Sequence, residues 1–500
     1  MRLTDEQRAV VEHTGDAVVT AVAGSGKTAT LTEYCRRRPD NRILYIAYNR
    51  SIKEEAVRKF KAAGIRNVRV ETAHSLAYHD YEVKTRFTLH EQGNYKLVDI
   101  VDMFNLRDKC SPDGAMAIAR HILQFLNYYC NSNYRQISEV DYPSLVNDPD
   151  SQRFVKKYLG KIQDCVLTMM KGFFQGTLPL THDSYLKFFQ LDNPILDYDC
   201  ILVDEAQDLS PVMLDILMRQ NANRVMVGDE AQQIYRYRHA VNSLGLVDFP
   251  RFTLSTSFRF PQWIADIAMQ ALSLKEMVGI RHDDIHITGL GQSNDHDSCG
   301  VVARTNLALL DKALSDMEDG GIDRMAFEGG LNNYTYLSSE GANIFDVLWL
   351  YCSRPEKVRD KFVGSFAGFG DLVKFQKETA DTDLGLMINI CIMHGPELFK
   401  KIAELKKLQV PRTEAEIVYS TVHRAKGQEW DVVHLTDDFI TADKIQDKFD
   451  RDEELDTDQL NEDINILYVA VTRAQSDLVI PFKIDEVSTV GRSETSELFF

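Results

Sequence analysis

A glycine-rich turn ending in a lysine and a hydroxyl residue carries the clearest chemistry in this sequence: Ala21-Val22-Ala23-Gly24-Ser25-Gly26-Lys27-Thr28. The run Ala17-Val18-Val19 before it suits a buried strand, and Ala29-Thr30-Leu31-Thr32-Glu33-Tyr34 after it suits a helix. Strand, small-residue turn and helix together form a phosphate cradle, because backbone N–H groups around Ala23, Gly24, Ser25 and Gly26 can close on an anion at a helix N-terminus. Lys27 can reach the β- and γ-phosphates, and the Thr28 hydroxyl can hold Mg²⁺. The pattern departs from G-x-x-x-x-G-K-[ST] at its first position, where Ala21 stands. The stretch is a nucleotide-binding loop.

A second apolar run, Cys200-Ile201-Leu202-Val203, ends in Asp204-Glu205. On a chain with a phosphate loop, Asp204 at such a strand end would hold Mg²⁺ through water. Glu205 would orient and deprotonate the attacking water. An acidic surface turn is the plainer alternative. The strand-like Arg224-Val225-Met226-Val227 then leads through Gly228 and Asp229 to Gln232, placed to sense a γ-phosphate. Beyond it, Tyr235, Tyr237 and Arg238 offer flat faces for nucleobases, a pattern that equally suits a helix with aromatic core residues. Near the start, Thr4 can cap a helix carrying Gln7. The Gln7 amide could offer donor and acceptor to adenine together, although a surface glutamine is the bland explanation.

Positioning these groups requires a parallel α/β scaffold. Arg42–Tyr48 and Val68–Glu71 read as further strands, each followed by a helix start, and such alternation indicates a parallel sheet. Ligands gather at the carboxyl ends of such strands, where Tyr48, Asn49, Thr72 and His74 would lie. Phe252–Ser255, Gly300–Thr305, Ile417–Thr421, Val432–Leu435 and Leu478–Ile480 suggest a second parallel sheet. The intervals 81–174 and 353–413 are helical in pattern. The expected organisation is a first domain (1–80 and 175–250) with a helical insertion (81–174), a second domain (251–352 and 414–485) with a shorter insertion (353–413), and a tail (486–500).

Composition agrees with a multi-domain globular chain: 500 residues, 44% hydrophobic and 26% charged. The formal net charge of −18 argues against indiscriminate nucleic-acid binding but not against a local positive groove. Much of the acidity falls in Asp443–Asp463, expected as a solvated loop. The eight cysteines lack C-x-x-C pairing and read as buried thiols of a reducing compartment. No secretory h-region and no membrane-spanning run is present, so an intracellular location (cytoplasm or nucleoid, or nucleus in a eukaryote) is expected.

Taken together the motifs resemble the UvrD/Rep-like branch of superfamily 1 DNA helicases, and within it the F-box DNA helicase group, here expected as a motor without the F-box. The resemblance rests on Ala23–Thr28, Ala47–Ile52, Thr72–Tyr78, Thr181–Lys187, Val203–Asp208, Gln232–Tyr235, Ser257–Phe260, Ser420–Asp431 and Asn465–Ala474, in family order along nearly the whole chain. It implies two RecA-like domains, each with a helical insertion, and ATP with Mg²⁺ in the cleft between them. By that resemblance Gln7 reads adenine, Phe258 stacks on it and Glu429 meets the ribose. Arg259 and Arg473 are the arginine fingers. Where many relatives carry an arginine against the base, this chain has Ala29. Tyr48, Asn49, Thr72, His74, Tyr235, Tyr237, Arg238 and His423 would contact single-stranded DNA or its junctions with duplex. Tyr237 stands where many relatives have tryptophan, and Asn465 where the wider family often has arginine.

The implied activity is ATP-dependent 3′→5′ translocation and unwinding, in DNA repair or recombination control. An ATP-gated DNA-binding protein without productive unwinding is the alternative. Retention of Lys27, Asp204, Glu205, Gln232, Arg259 and Arg473 argues against it. Little sequence after Leu478 remains for a nuclease domain.

Overall fold

The computed structural model describes residues 3–108, 112–146, 148–235, 241–280, 286–292, 295–334, 343–379, 381–451 and 456–485. Tyr237, Arg238 and the segment 486–500 lie outside these residues.

Six short strands build the first sheet: β1 (Ala17–Ala21), β2 (Ile43–Ala47), β3 (Val68–Thr72), β4 (Cys200–Val203), β5 (Asn223–Gly228) and β6 (Arg251–Leu254). Their spatial order is β3-β2-β4-β5-β1-β6, every pairing parallel. β1, β2 and β4 are buried along their whole length, as the unbroken apolar runs require of strands covered on both faces. Because β4, β5 and β1 are neighbours, their carboxyl ends deliver Asp204-Glu205, the Asp229–Gln232 segment and the phosphate loop side by side.

The strand at Phe252 corrects the sequence expectation. It pairs with β1, Val19 opposite Phe252, as the edge of the first sheet instead of opening the second. Its alternating burial, with only Leu254 fully covered, fits an edge position. The placement has a functional consequence, since the chain leaving β6 must cross directly over the phosphate loop.

A two-stranded ribbon, β7 (Thr256–Ser257) with β8 (Thr288–Gly289), follows. The second sheet contains β9 (Cys299–Ala303), β10 (Met325–Phe327), β11 (Ile417–Thr421), β12 (Trp430–Leu435) and β13 (Ala474–Val479), all parallel, in the order β10-β11-β9-β12-β13.

Between β3 and β4 the chain is helical, with Pro112–Asn131 and Pro149–Phe174 the longest elements. Between β10 and β11 lie Ile344–Tyr351, Phe369–Thr379, Thr382–His394 and Leu398–Leu405. The two helical groups pack on each other, and Arg120 Nη2 meets Asp381 Oδ2 across them at 3.0 Å. Of the acidic interval Asp443–Asp463, expected as a loop, the described residues are mostly helical, and residues 452–455 at its centre lie outside the described residues. Ala442–Asp450 is capped by Thr441, and Thr457–Val471 is capped by Asp456. Caps and buried Ile445 and Leu460 outweigh like-charge repulsion there. The seven described cysteines are free thiols, with Cys299 and Cys352 only half-buried. Among the described residues no helix is long and apolar enough to cross a membrane.

Candidate functional site

The phosphate loop turns on Gly24 and Gly26, at φ +74° and +77°, a region that costs other residues a side-chain clash. Gly26 caps the helix Lys27–Arg36, leaving that helix's first N–H groups open toward the loop. The Ser25 hydroxyl is buried with no hydrogen-bond partner, an orphan that a phosphate oxygen would satisfy. Gln7, itself buried, holds the loop: its Nε2 donates to Ser25 O at 3.2 Å. Its Oε1 accepts from Thr4 N at 3.1 Å, closing a capping box. The amide expected to read adenine is thus engaged within the protein at both ends, with one N–H and one lone pair left over.

Two carboxylates, Asp204 buried and Glu205 partly buried, lie beside Lys27. Its Nζ lies 3.6 Å from Glu205 Oε1. Asp204 accepts from the Tyr45 hydroxyl and, at 3.0 Å, from Glu205 N. Burial, then the charge of Glu205, pushes the Asp204 carboxyl upward. Burial works in the same direction on Glu205, but the Lys27 and Lys426 ammoniums outweigh it and hold Glu205 below its ordinary range. Adjacent carboxylates beside one lysine are hard oxygen donors of the kind a divalent cation takes. Glu205 adopts φ +54°, strained for a non-glycine residue, and its Oε2 accepts from Gln207 Nε2 at 2.6 Å.

Gln232, expected to sense the γ-phosphate, is buried, and its Nε2 donates to Asp229 Oδ2 at 2.6 Å. Both expected arginine fingers approach this site. Phe258 N donates to Gly24 O at 2.9 Å, so the crossover from β6 lies on the loop itself. The Phe258 ring stays 43% exposed, available for stacking. Arg259 contacts Glu429 (Nε–Oε2 2.8 Å) and donates to Thr472 O at 2.9 Å. Glu429, expected at a ribose, here holds Arg259. Arg473 is 2% exposed and bonded to the carbonyls of Val469 (2.9 Å) and Gln428 (3.2 Å) and the Thr472 hydroxyl (3.2 Å). Burial, and next the Arg259 charge, lowers its pKa to about 9, while the charge of Glu205 partly restores it.

A Cβ on Gly24 would lie 2.5 Å from Arg259 Cβ and 2.6 Å from Ser257 Oγ. Gly24→Ala is therefore expected to displace Arg259 and to lower ATP turnover at least about tenfold, a modest misplacement penalty, as read by steady-state hydrolysis.

On the strand-end face, Tyr48 follows β2 and Thr72 closes β3. Asn49 and Thr72 cap the helices Arg50–Ala62 and Ala73–Asp80, accepting from Ile52 N (2.9 Å) and Ser75 N (3.0 Å). His74 Nε2 pairs with Asp183 Oδ1 at 3.3 Å. Tyr235 is enclosed by neighbours that its sequence context does not reveal. It is 8% exposed, one face stacked on Tyr48 (centroids 5.2 Å apart, planes at 19°), with Lys426 Nζ 4.9 Å from its ring centroid. Its hydroxyl donates to His423 O (3.0 Å), and His423 Nε2 in turn meets Ile234 O at 3.0 Å. Both residues join the domains in this arrangement.

Lys426, Asp208, Asp229 and Tyr468 are residues that motif chemistry left unassigned. Lys426 bonds the Asp208 carboxylate and, at 2.7 Å, Gln232 O, joining the second domain to the γ-phosphate-sensing segment. Burial pushes Asp208 up to about 6, against the pull of Lys426. Lys426→Met would strand that carboxylate, at a cost of about 3–5 kcal/mol. Thermal denaturation should therefore show a lower Tm for Lys426→Met, and recovery of most of the loss when Asp208→Asn is added.

The two parallel sheets and the phosphate loop define a P-loop fold with two RecA-like domains, and the chain belongs to the UvrD-like helicase family. The UvrD/REP helicase N-terminal domain matches residues 3–248 and the UvrD-like helicase C-terminal domain residues 370–483. Among relatives it is similar to F-box DNA helicase 1 of Gallus gallus, 28% identical over 520 residues, covering 96% of this chain and 49% of that one. It is likewise similar to F-box DNA helicase protein 1 of Schizosaccharomyces pombe, 29% identical over 535 residues, covering 96% of this chain and 57% of that one. A shorter match, 33% identical over 138 residues (24% of this chain and 11% of the other), is to an ATP-dependent helicase/nuclease of Oceanobacillus iheyensis. The chain spans about half the length of the two F-box helicases.

Proposed function

We propose that this chain is an ATP-driven motor that moves 3′→5′ along single-stranded DNA and separates duplex at single-strand/duplex junctions. The observation that carries the proposal is the shared cleft. Glu205, paired with Lys27 in the first domain, lies within electrostatic reach of Arg473 from the second, which neighbours Arg259 and Glu429, and Arg259 packs against Gly24 of the phosphate loop.

In this account Ser25, Gly26 and Lys27 hold the phosphates, Thr28 and Asp204 hold Mg²⁺, and Glu205 takes a proton from the attacking water. Mg²⁺ supplies charge neutralisation at the phosphates. Arg259 and Arg473 interact with the γ-phosphate only while it is attached, so their differential contact draws the domains together before hydrolysis and releases them after it.

The Lys426–Gln232 and Tyr235–His423 contacts connect that movement to the strand-end face of Tyr48, Asn49, Thr72 and His74, where we place the DNA. Little sequence preference is expected of such a face. The F-box relatives are DNA helicases by name, which favours DNA as the track, and the polarity follows the family. Repair or recombination control, in whichever compartment holds the DNA, is the corresponding cellular role.

A strand-displacement assay with matched duplexes tests the reading. A 3′ single-stranded tail should support ATP-dependent displacement and a 5′ tail should not. Equal displacement of both, or of neither, would reject the directional motor.

A further inference from the structure

The helix Thr457–Val471 meets the first domain along one face. Tyr468 and Asn465 are three residues apart, so both project from that face. The Tyr468 side chain is 1% exposed. Its hydroxyl accepts from Ala23 N at 3.4 Å and donates to Asp229 Oδ2 at 3.0 Å. Asn465 Nδ2 donates to Gln233 O at 3.0 Å, four residues further along the same segment. Asp229 also accepts from Ala231 N at 3.1 Å and from Gln232 Nε2 at 2.6 Å. One phenol thus joins a phosphate-loop N–H, a buried carboxylate and the glutamine segment that runs on to Tyr235.

None of the hydrolytic steps above uses Tyr468 or Asp229, yet the geometry makes their contact depend on what the loop holds. Ala23 N–H belongs to the loop that wraps phosphates, and its acceptor here comes from the other domain. An anionic phosphate oxygen is a stronger acceptor than a phenol, so an occupied loop takes that N–H away from Tyr468. The phenol keeps its proton and goes on donating to Asp229, since a hydrogen bond to a buried carboxylate is costly to break. The second domain then keeps its hold on the Asp229–Gln233 segment while losing its hold on the loop. A purely structural tie would have no such dependence.

We propose that Tyr468 is a positioning residue that reports phosphate-loop occupancy to the Asp229–Tyr235 segment, and through Tyr235 to the face that carries Tyr48. The inference rests on the ATP-driven motor reading and adds to it a named link between nucleotide and strand.

The test compares the wild-type chain with Tyr468→Phe, which keeps the ring and removes the hydroxyl. Binding of fluorescein-labelled oligo(dT) is followed by anisotropy without nucleotide, with ADP and with a non-hydrolysable ATP analogue. ATP KM and kcat are measured alongside. In the wild-type chain the analogue should shift DNA affinity by about tenfold, an ordinary coupling between two sites. In Tyr468→Phe that ratio should collapse to within about twofold of one, because the coupling bond is gone, while KM for ATP moves less than about threefold.

Asp229→Asn weakens the same bond from its other end and carries the same expectation for the affinity ratio, so a misfolded variant does not shelter the proposal. A wild-type affinity ratio in both variants, with hydrolysis still stimulated by DNA, would overturn the Tyr468 assignment and leave the motor intact. A wild-type chain with neither nucleotide-dependent DNA binding nor DNA-stimulated hydrolysis would overturn the motor reading, and this inference with it.

Discussion

Glu205→Gln is expected to bind ATP and single-stranded DNA within about threefold of the wild-type chain while kcat falls by about 10²–10⁴, the range a positioned base contributes. The amide keeps the shape of the side chain at a strained backbone position, so the fold is spared. It loses the proton-accepting charge that Lys27 and Lys426 hold in place against burial. Single-turnover hydrolysis with parallel nucleotide and DNA titrations separates these effects. Near-normal turnover would remove Glu205 from the role of base.

Arg473→Met is expected to have an effect of similar size for a different reason. A buried guanidinium bonded, among the described residues, to two carbonyls and a hydroxyl, with a pKa pulled down to about 9 by burial and by Arg259 against the partial support of Glu205, is an expensive arrangement. Such a charge is useful where negative charge arrives from outside, and an arginine finger can contribute about 10³–10⁵ in rate. The variant should lose at least about 10³ in kcat while its Tm stays within about 3 °C of wild type, since the desolvation of a buried charge offsets most of what its contacts contribute. A large fall in Tm with modest loss of kcat would make Arg473 a structural residue. Arg259, already paired with Glu429, should respond more mildly, because its removal leaves a half-exposed carboxylate behind.

The elements that could be read from sequence were those whose chemistry is local. β4 matches its apolar run residue for residue, and Thr4 and Thr72 cap helices as their types suggest. β10 has only three residues, two of them Met and Ala, and carries no periodic signal. β6 was legible as a strand but not as a partner of β1, since sheet membership depends on the path of the chain and not on the run itself. The same limit applies in the site. Lys27, Asp204, Glu205 and Arg473 announce themselves through motif type and spacing. Asp229, Lys426 and Tyr468 gain meaning only when a residue more than 190 positions away is brought against them. Tyr235 shows a related limit. An aromatic next to a glutamine sensor reads as a base-stacking face, whereas contact with Tyr48, Lys426 and His423 fills that face.

The central claim is that groups from both domains clasp one ATP, so that its hydrolysis works a grip on a nucleic-acid strand. The most direct measurement is the steady-state rate of ATP hydrolysis by the 500-residue chain across a titration of oligo(dT). A saturable rise of about tenfold or more is expected, the size of an ordinary coupling between two sites. A rate that stays flat at saturating DNA would contradict the account.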